Sequence, residues 1–531
     1  MSSLAVVKSR ALDGLNAPQV HVEVHLANGL PSFTLVGLAD TEVKESRERV
    51  RAALQQSGFA FPHNQRITVN LAPAELPKEG GRFDLPIALG ILAAAGQLCA
   101  KKLAAYEFAG ELSLAGELRP VRGALAHALA LRQHNQRVPA ANERLQLVLP
   151  LDSARLAAAV AEVPVWSATH LCEVVAALQP GDDGQTLQAA QPRPCALALP
   201  GPELAEVKGL SAAKRALEIA AAGGHSLLLV GPPGSGKSML AQRLPGLLPP
   251  LTHDEALASA ALQDLKPGSS QPPPQGTSIW PATEWLGGVR PFRSPHHTAS
   301  AVALVGGGSP PRPGEISLAH GGVLFLDELP EFPRSALEAL REPLETGQIT
   351  LARAARSATF PARFQLIAAM NPCPCGWLGS SSTVPSAGVR LCRCSSDTVA
   401  RYQGKLSGPL LDRIDLQVEV QASSPTELLA APDGECSAVV AGRVALARQR
   451  QLGRQGKTNA ELSSAEIDLH CTLAPQASNF LHGAATRLGW SGRRLHRTLR
   501  VARTVADLAE QDSLQIEHLA EALQLQRALS G

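Results

Sequence analysis

The segment GPPGSGKS, residues 231–238, constrains the fold of this chain more than any other feature of its sequence. Its glycines and its closing Lys-Ser pair fit the phosphate-loop pattern, in which backbone N–H groups approach phosphates and the following helix presents its positive end. The short apolar run at residues 226–230 precedes the loop, and the motif requires a strand before it and a helix after it. The segment therefore predicts an α/β module with a parallel sheet.

The loop and two later strand ends supply a candidate ATP site. Lys237 is expected to reach the β and γ phosphates, and the Ser238 hydroxyl is expected to bind Mg²⁺. Asp327 and Glu328 follow the apolar run VLFL, which suits a second Mg²⁺ ligand and a base that polarises water, respectively. Asn371 ends the run QLIAAM and is expected to contact the γ phosphate or orient the water. The expected ATP-binding residues are Gly231, Pro232, Pro233, Gly234, Ser235, Gly236, Lys237 and Ser238.

The spacing of these residues predicts an insertion. Lys237 and Asp327 are 90 residues apart, whereas two βαβ crossovers of ~30 residues each need only about 60. The additional residues are expected within 266–313, a segment with proline-rich ends that contains the basic sequence RPFRSPHH.

The length of 531 residues predicts about three domains. Residues 1–175 are expected to form a mixed α/β domain, because residues 20–26 and 66–71 have strand character and residues 41–57 have helical spacing. Residues 176–202 are expected to be a linker rich in Pro, Gly and Gln, and residues 203–430 the nucleotide-binding core. Residues 431–531 show helical patterns and predict an all-α domain.

Composition excludes several classes of protein. With 45% hydrophobic residues and a net charge of +2, most of the chain is too apolar and too weakly charged to be disordered. The longest nearly apolar run, residues 85–100, is too short and interrupted to span a bilayer. The N-terminus lacks the apolar core of a signal peptide, so we expect a cytoplasmic protein without a membrane partner.

Four of the nine cysteines form two CxC pairs separated by 16 residues. Four thiolates suit a closed tetrahedral Zn²⁺ site, and the small, polar residues between the pairs allow that segment to loop out. A redox-active dithiol is the alternative. The expected zinc ligands are Cys373, Cys375, Cys392 and Cys394.

The motifs GPPGSGKS, VLFLDELPEF, AAMNPCPCG and SGPLLDRIDL together resemble AAA+ ATPases of the magnesium-chelatase-like group. The resemblance is closest to the ComM/YifB family of competence-associated ATPases and covers nearly the whole chain. It implies an AAA+ core with a helical C-terminal lid, ATP and Mg²⁺ as cofactors, and a homohexameric ring. It also implies a DNA helicase that promotes branch migration on single-stranded or branched DNA during recombination or natural transformation.

The resemblance also assigns roles to residues outside the loop. Asn371 would be the first sensor, and Arg413 the arginine finger that acts on the neighbouring subunit's ATP. Arg493 would be the second sensor on the lid, with the adjacent Arg494 as the alternative. From the residues alone, a surface ion pair with Asp412 or Asp415 is the favoured interpretation of Arg413.

The N-terminal sequence LAPAELPKEGGRFDLPIALGIL, followed by FAGELSLAGELRPVRG, resembles the Lon-protease-like domain in its ChlI-type form. The resemblance places Arg82 at the position of the nucleophilic serine and Leu125 near that of the lysine. A Ser–Lys mechanism needs both a hydroxyl and a desolvated amine. We therefore expect a scaffold or partner-binding module without protease activity.

Two segments are candidates for DNA contact. Residues 347–364 predict two short strands joined by a turn that contains Arg353 and Arg356, and the resemblance implies that such a hairpin points into the central pore. Basic residues there suit contacts with phosphates that do not read sequence, and a solvated basic turn is the alternative. A second candidate set lies in the insertion: Arg290, Arg293, His296 and His297.

Two other function classes remain open at this point. A chelatase-like, ATP-dependent remodeller of a protein or metal-insertion complex is the main alternative to a DNA motor. An ATP-dependent protease is disfavoured by the missing Ser–Lys dyad.

Overall fold

The computed structural model describes residues 4–38, 40–179, 186–193, 201–266, 286–308, 311–353, 356–379, 391–421, 429 and 434–526. Parts of three predicted segments lie outside these residues: the linker at 180–185 and 194–200, the insertion at 267–285 and 309–310, and the four-cysteine loop at 380–390. The side chains of Arg353 and Arg356 also lie outside the described structure, although the backbone pairing of both residues is described.

The N-terminal domain contains ten described strands and six described α-helices. The strands are β1 (Leu4–Arg10), β2 (Gln19–Asn28), β3 (Ser32–Val36), β4 (Gln65–Ala72), β5 (Tyr106–Phe108), β6 (Glu111–Leu112), β7 (Leu118–Arg119), β8 (Gln146–Pro150), β9 (Val165–Ala168) and β10 (Gln188–Ala189). The helices are α1 (Thr41–Gln56), α2 (Asp84–Ala94), α3 (Ala100–Leu103), α4 (Ala124–Arg137), α5 (Leu151–Ala157) and α6 (Leu171–Leu178). Eight of the strands form one mixed sheet in the order β10-β9-β8-β5-β1-β2-β4-β3.

Successive side chains of a strand point to opposite faces of this sheet, and one of the two faces is buried. Val20, Val22 and Val24 of β2 are fully buried, with more exposed residues between them. Helix α2 packs closely on this face, since a Cβ atom at Gly90 would lie 2.5 Å from Val24 Cγ2. The mixed α/β character predicted for this region is thus observed.

The nucleotide-binding module has a central sheet that is parallel throughout. Its strands and those of two hairpins are β11 (Leu227–Val230), β12 (Phe292–Arg293), β13 (Gly306–Gly307), β14 (Arg312–Pro313), β15 (Val323–Leu326), β16 (Gln348–Arg353), β17 (Arg356–Pro361), β18 (Gln365–Met370) and β19 (Leu416–Glu419). The sheet order is β12-β15-β18-β11-β19, and each neighbouring pair is parallel. The strand before the phosphate loop, β11, lies between β18 and β19, and the sheet is parallel as predicted.

Strand β12 corrects one part of the sequence interpretation. It pairs with β15 through Phe292 and Val323 and forms an edge of the sheet. This piece of the predicted insertion, residues 266–313, thus belongs to the sheet itself, whereas the β13–β14 hairpin lies outside the sheet. The sequence could not separate the two because a two-residue strand carries no periodicity.

Helices surround the sheet and form the C-terminal region. Those of the module are α7 (Ser211–Gly223), α8 (Lys237–Leu247), α9 (His253–Asp264), α10 (Ala301–Val305), α11 (Glu315–Leu318), α12 (Arg334–Glu338), α13 (Arg341–Thr346), α14 (Ser396–Gln403) and α15 (Gly408–Leu411). The C-terminal helices are α16 (Ser437–Gln455), α17 (Ser464–His470), α18 (Pro475–Arg487), α19 (Gly492–Leu508) and α20 (Ile516–Gln524). The C-terminal helices share one buried core with the module, in which Leu217 and Leu244 join Val444 and Val501.

The N-terminal domain packs against the module through α9 and the β16–β17 hairpin. Leu257 of α9 lies in one buried cluster with Leu125 of α4. Phe360 at the base of the hairpin is fully buried, and Leu15 of the N-terminal domain packs against its cluster. The hairpin is therefore held at its base by both domains.

Candidate functional site

The phosphate loop connects the end of β11 to the start of α8. Gly234 and Gly236 have φ of 75° and 85°, a backbone region that favours glycine. A Cβ atom at Gly231 would lie 2.2 Å from the Val420 carbonyl oxygen. Position 231 thus requires glycine because the Val420 backbone lies too close for a side chain. The other two positions favour glycine because of their backbone conformation.

Lys237 points its ammonium group back into the loop. Nζ donates to the carbonyl oxygens of Gly231 at 2.8 Å and Pro232 at 2.7 Å, and Asn371 Oδ1 lies 3.4 Å away. Burial lowers the pKa of Lys237 below its ordinary value, and the charges of Asp327 and Glu328 oppose that shift. The sheet brings these residues together because β11, β15 and β18 end at the same edge.

Ser238 and Asp327 form the candidate Mg²⁺ site. Ser238 Oγ donates to Asp327 Oδ2 at 2.7 Å, although the two residues come from different strand–helix units. Hydroxyl and carboxylate oxygens are ligands that Mg²⁺ prefers. The geometry therefore fits the predicted ligand pair.

Glu328 lies immediately beyond this pair. Its φ is 53°, an uncommon conformation for a residue that is not glycine. Its side chain is about half exposed, and Oε2 lies 3.1 Å from His297 Nδ1. The carboxylate is therefore accessible beside the candidate phosphate and metal residues.

Arg413 lies at the opposite edge of the sheet. Its carbonyl oxygen accepts a hydrogen bond from Ser226 Oγ at 2.7 Å, just before β11 begins. At about 3.3 Å per residue, the four-residue strand β11 places this edge more than about 13 Å from the phosphate loop. The backbone of Arg413 thus lies at the edge of the sheet opposite the phosphate loop of its own chain.

The Arg413 guanidinium is ion-paired with Glu345, not with either neighbouring aspartate. Burial, and then the nearby charges of Arg341 and Arg493, lowers the pKa of Arg413. Arg493 itself is exposed. Three arginines from separate helices or turns therefore lie close together on one side of the module.

Neighbouring arginines of α19 have structural contacts. Arg497 donates to the carbonyl oxygens of Leu411 and Ile414, each at 3.1 Å, and so attaches the lid helix to the segment that carries Arg413. The Arg494 guanidinium lies 5.5 Å from the centre of the Trp490 ring. Of the two candidates for the second sensor, Arg493 has the more exposed side chain.

The four predicted zinc ligands lie together directly after Asn371. Their Sγ atoms all fall within 4.8 Å of one another, with separations of 3.3 Å for Cys373–Cys375, 3.7 Å for Cys373–Cys392 and 3.6 Å for Cys375–Cys392. A Zn²⁺ ion bonded to four sulfurs at about 2.3 Å separates neighbouring sulfurs by about 3.8 Å. Cys373, Cys375, Cys392 and Cys394 therefore fit a tetrahedral zinc site.

The predicted hairpin is present in the described backbone. Residues Arg353 and Arg356 form the last register pair of β16 and β17, on either side of a two-residue connection. At its base, Ile349, Ala358 and Phe360 are buried. The arginine pair thus lies at the end of the hairpin away from its anchored base.

The second DNA candidate set has partners within the chain. Arg290 is partly buried and donates to the carbonyl oxygens of Pro249 and Gly321, at 2.5 and 2.6 Å. Arg293 makes a bidentate ion pair with Glu315 at 2.6 and 2.7 Å. Both arginines are therefore occupied by contacts within the chain.

In the region of the N-terminal domain that resembles a protease site, charged groups stand in place of the serine and lysine. Arg82 is fully enclosed, and burial lowers its pKa to about 10. Nearby, Asp264 of α9 accepts the backbone N–H of Leu125 at 3.3 Å, and burial raises the pKa of Asp264 to about 6. A carboxylate from the module thus reaches the start of α4, where the resemblance places the missing lysine.

Sequence reasoning missed three contacts at or near this site: Glu345–Arg413, His297–Glu328 and Asp264–Leu125. Each joins segments that are distant in sequence. The basic segment RPFRSPHH was a signal for one of them, but its histidines and arginines suggested DNA instead.

Three family models match the chain. The model described as "Magnesium chelatase, subunit ChlI" matches residues 203–428, "Subunit ChlI of Mg-chelatase" matches residues 22–142, and "Magnesium chelatase, subunit ChlI C-terminal" matches residues 434–526. Among the described residues, no helix is apolar and long enough to cross a membrane.

Full-length relatives agree with these matches. The chain is 47% identical over 525 residues to competence protein ComM of Haemophilus influenzae, covering 98% of this chain and 97% of that protein. It is 47% identical over 526 residues to the YifB protein of Salmonella typhimurium, with 98% and 96% covered. An uncharacterized protein of Mycobacterium tuberculosis is 42% identical over 522 residues, with 97% of each chain covered.

Proposed function

Because the chain belongs to the magnesium-chelatase-like family that includes ComM and YifB, we propose that it is an ATP-driven ring motor that moves on DNA. Its activity would be that of a helicase that promotes branch migration during recombination or natural transformation. The observation that carries this proposal is the distribution of the candidate site residues over two opposite edges of the sheet. Lys237 and Asp327 lie at one edge and Arg413 at the other, so that a site with all three residues would need a second subunit.

Within one subunit, the phosphate loop and the residues after β15 and β18 would have separate roles in ATP hydrolysis. The loop N–H groups and Lys237 would hold the phosphates. Ser238 and Asp327 would hold Mg²⁺, which neutralises phosphate charge when it is bound. Glu328 would accept a proton from the attacking water, and Asn371 would orient that water.

The neighbouring subunit would supply a further positive charge, the guanidinium of Arg413, beside that of Lys237. Arg413 is paired with Glu345 and lies near the charges of Arg341 and Arg493, and a phosphate would offset the repulsion among these arginines. An arginine delivered to the γ phosphate from the next subunit stabilises the charge that develops during transfer. This arrangement favours a closed ring, for which we propose a homohexamer.

The β16–β17 hairpin is the proposed DNA contact. Its base is anchored between the module and the N-terminal domain, so that its Arg353–Arg356 end is presented by a fixed support. Six such ends around one channel would contact phosphates without reading sequence.

The cysteine cluster is proposed as a structural zinc site of the same module. It follows Asn371 directly, so a bound Zn²⁺ would fix the chain immediately after the proposed sensor. Its role would be to hold this turn in place, and it takes no part in the chemistry of ATP.

The match to the magnesium chelatase subunit supports one alternative, a remodeller of a protein or metal-insertion complex. ATPase rates measured with single-stranded, duplex and branched DNA, and with an unfolded protein, separate the two proposals. A DNA motor predicts stimulation by DNA and none by the unfolded protein. Stimulation by protein alone would support the remodeller.

A further inference from the structure

The side chain of Arg413 is largely covered by its own chain. Only 15% of it is exposed. Nη1 donates to the carbonyl oxygen of Pro409 at 2.6 Å, and Nη2 is ion-paired with the carboxylate of Glu345. An arginine that acts on the ATP of a neighbouring subunit has to extend its guanidinium towards that subunit. The guanidinium must therefore leave these partners before it can contact a phosphate there.

The backbone that carries Arg413 is held by hydrogen bonds on both sides. Ser226 Oγ donates to the Arg413 carbonyl oxygen at 2.7 Å and accepts the backbone N–H of Asp415 at 3.0 Å. Arg497 of α19 donates to the carbonyl oxygen of Leu411 at 3.1 Å. Release of the guanidinium therefore needs only rotation about side-chain bonds, which is much faster than a motion of whole domains.

The contact with Glu345 is suited to exchange. Glu345 lies near the end of α13, and its side chain is 59% exposed. An ion pair with one partner in solvent contributes little free energy, so it is broken at small cost. Among the described residues, Arg413 Nε has no hydrogen-bond partner, so this arrangement leaves one donor of the guanidinium unsatisfied. A phosphate, with several charged oxygens, can accept more than one of these donors.

Glu345 also supplies a negative charge to a group of arginines. Arg341 on the same helix and Arg493 on α19 both act electrostatically on Arg413. Arg341 has its own partner, Glu338, at 2.7 Å. Like charges repel, and a carboxylate beside Arg413 offsets that repulsion. Exchange of this carboxylate for a phosphate keeps an anion beside Arg413, so the arginines stay compensated in both arrangements.

We propose that Glu345 competes with the γ phosphate of the neighbouring subunit's ATP for the guanidinium of Arg413. The contact with Glu345 holds the side chain in a resting position, and the phosphate takes the place of the carboxylate when the subunits assemble around ATP. The proposal rests on the role of Arg413 in the proposed ring ATPase. Its consequence is that Glu345 restrains turnover, because Arg413 is available only for the fraction of time in which it is released.

The test compares Glu345→Gln with Glu342→Gln in the full-length protein. Both substitutions remove one negative charge from α13 at an exposed position, but Glu345 is the residue that is ion-paired with Arg413. Because an exposed ion pair is weak, we expect Glu345→Gln to raise kcat without DNA by about two- to fivefold. Glu342→Gln should leave kcat unchanged. An unchanged or lower kcat in Glu345→Gln would overturn the proposal.

Labelling with phenylglyoxal, which modifies accessible guanidinium groups, gives a measurement that does not depend on turnover. Without nucleotide, we expect Arg413 to be labelled about two- to fivefold faster in Glu345→Gln than in the wild type or in Glu342→Gln, as read by mass spectrometry of its peptide. Equal labelling in all three proteins would overturn the proposal. If the wild type does not hydrolyse ATP, or if Arg413→Ala hydrolyses it at the wild-type rate, the proposed ring ATPase fails, whereas faster labelling in Glu345→Gln would still support the restraint of Arg413 by Glu345.

Discussion

Ser226 Oγ donates a hydrogen bond of 2.7 Å to the carbonyl oxygen of Arg413. The bond attaches Arg413 to the amino-terminal edge of the central sheet, while Lys237 lies at the carboxyl edge. Because β11 separates the two edges, the Arg413 guanidinium is expected to act on the ATP of a neighbouring subunit.

Arg413→Ala should therefore abolish turnover and leave ATP binding intact. Arginine fingers contribute about 10³-fold or more to the rate of phosphoryl transfer. Nucleotide binding can be followed with a fluorescent ATP analogue, and turnover by phosphate release. Mixtures with Lys237→Ala should recover some activity, since a shared interface can combine an intact loop with an intact arginine. Co-assembled mixtures with no recovery would argue against action between subunits.

Glu328→Gln should bind ATP but hydrolyse it slowly. An amide cannot accept the proton of the attacking water, and a positioned general base contributes about 10²- to 10⁴-fold. Glu331→Gln is the matched control, because Glu331 lies three residues later and contacts Lys405 at 3.2 Å on the surface. Equal loss in both variants would indicate a general effect of charge and would contradict the specific role of Glu328.

Protein purified without chelator should contain about one zinc per chain. Removal of the metal should lower the thermal midpoint, because the four sulfurs lie within 4.8 Å of one another in the folded state and metal bound there stabilises that state. Cys375→Ser should lose zinc, whereas Cys172→Ser, an exposed cysteine of the N-terminal domain, should retain it. Metal-free protein that is folded and active with all four thiols reduced would exclude a structural zinc site.

Arg353→Ala combined with Arg356→Ala should keep nucleotide binding and assembly but lose DNA-stimulated turnover. Phosphate contacts release counterions, so the wild-type affinity for DNA should fall steeply with salt, and the double variant should show a shallower slope. The control is Arg137→Ala with Arg144→Ala, which removes the same charge from exposed positions of the N-terminal domain. Undiminished unwinding by the hairpin variant would place the DNA contact elsewhere.

The ionisation of Asp264 should make the free energy of unfolding depend on pH. Burial raises its pKa to about 6 in the folded protein, whereas an unfolded aspartate has a pKa of about 3.9. The folded state therefore binds this proton more tightly, and the contribution of Asp264 to stability is lost as pH rises between about 4 and 6. A difference of about 2 in pKa corresponds to about 3 kcal/mol.

Asp264→Asn tests this dependence while keeping an oxygen that can accept the Leu125 N–H. We expect the variant to exceed the wild type in thermal midpoint at pH 7.5 and to approach it near pH 4. If the thermal midpoints of the two proteins differ by the same amount at every pH across this range, the expected ionisation of Asp264 is contradicted.

The sequence predicted the parts of the site that depend on contiguous motifs. The phosphate loop, the acidic pair after VLFL and the polar residue after QLIAAM each follow a strand, and strands of one parallel sheet bring such residues to one edge. The four cysteines were also recognisable as a candidate metal site, because two CxC pairs can supply the four sulfurs of a tetrahedral zinc site.

Contacts between distant segments were not predictable in the same way. Glu345 contacts Arg413 across 68 residues, and His297 contacts Glu328 in a region where β12 lies beside β15. Periodicity identifies strands and helices but not which segments become neighbours. For the same reason, the sequence suggested DNA contact for Arg293, which the structure pairs with Glu315.

Strand movement on a labelled four-way junction tests the central claim most directly. With ATP, the wild-type protein should convert the junction into its branch-migrated products, and Glu328→Gln should bind the junction without converting it. The account is contradicted if the wild type hydrolyses ATP at the same rate with and without the junction and releases no product strands.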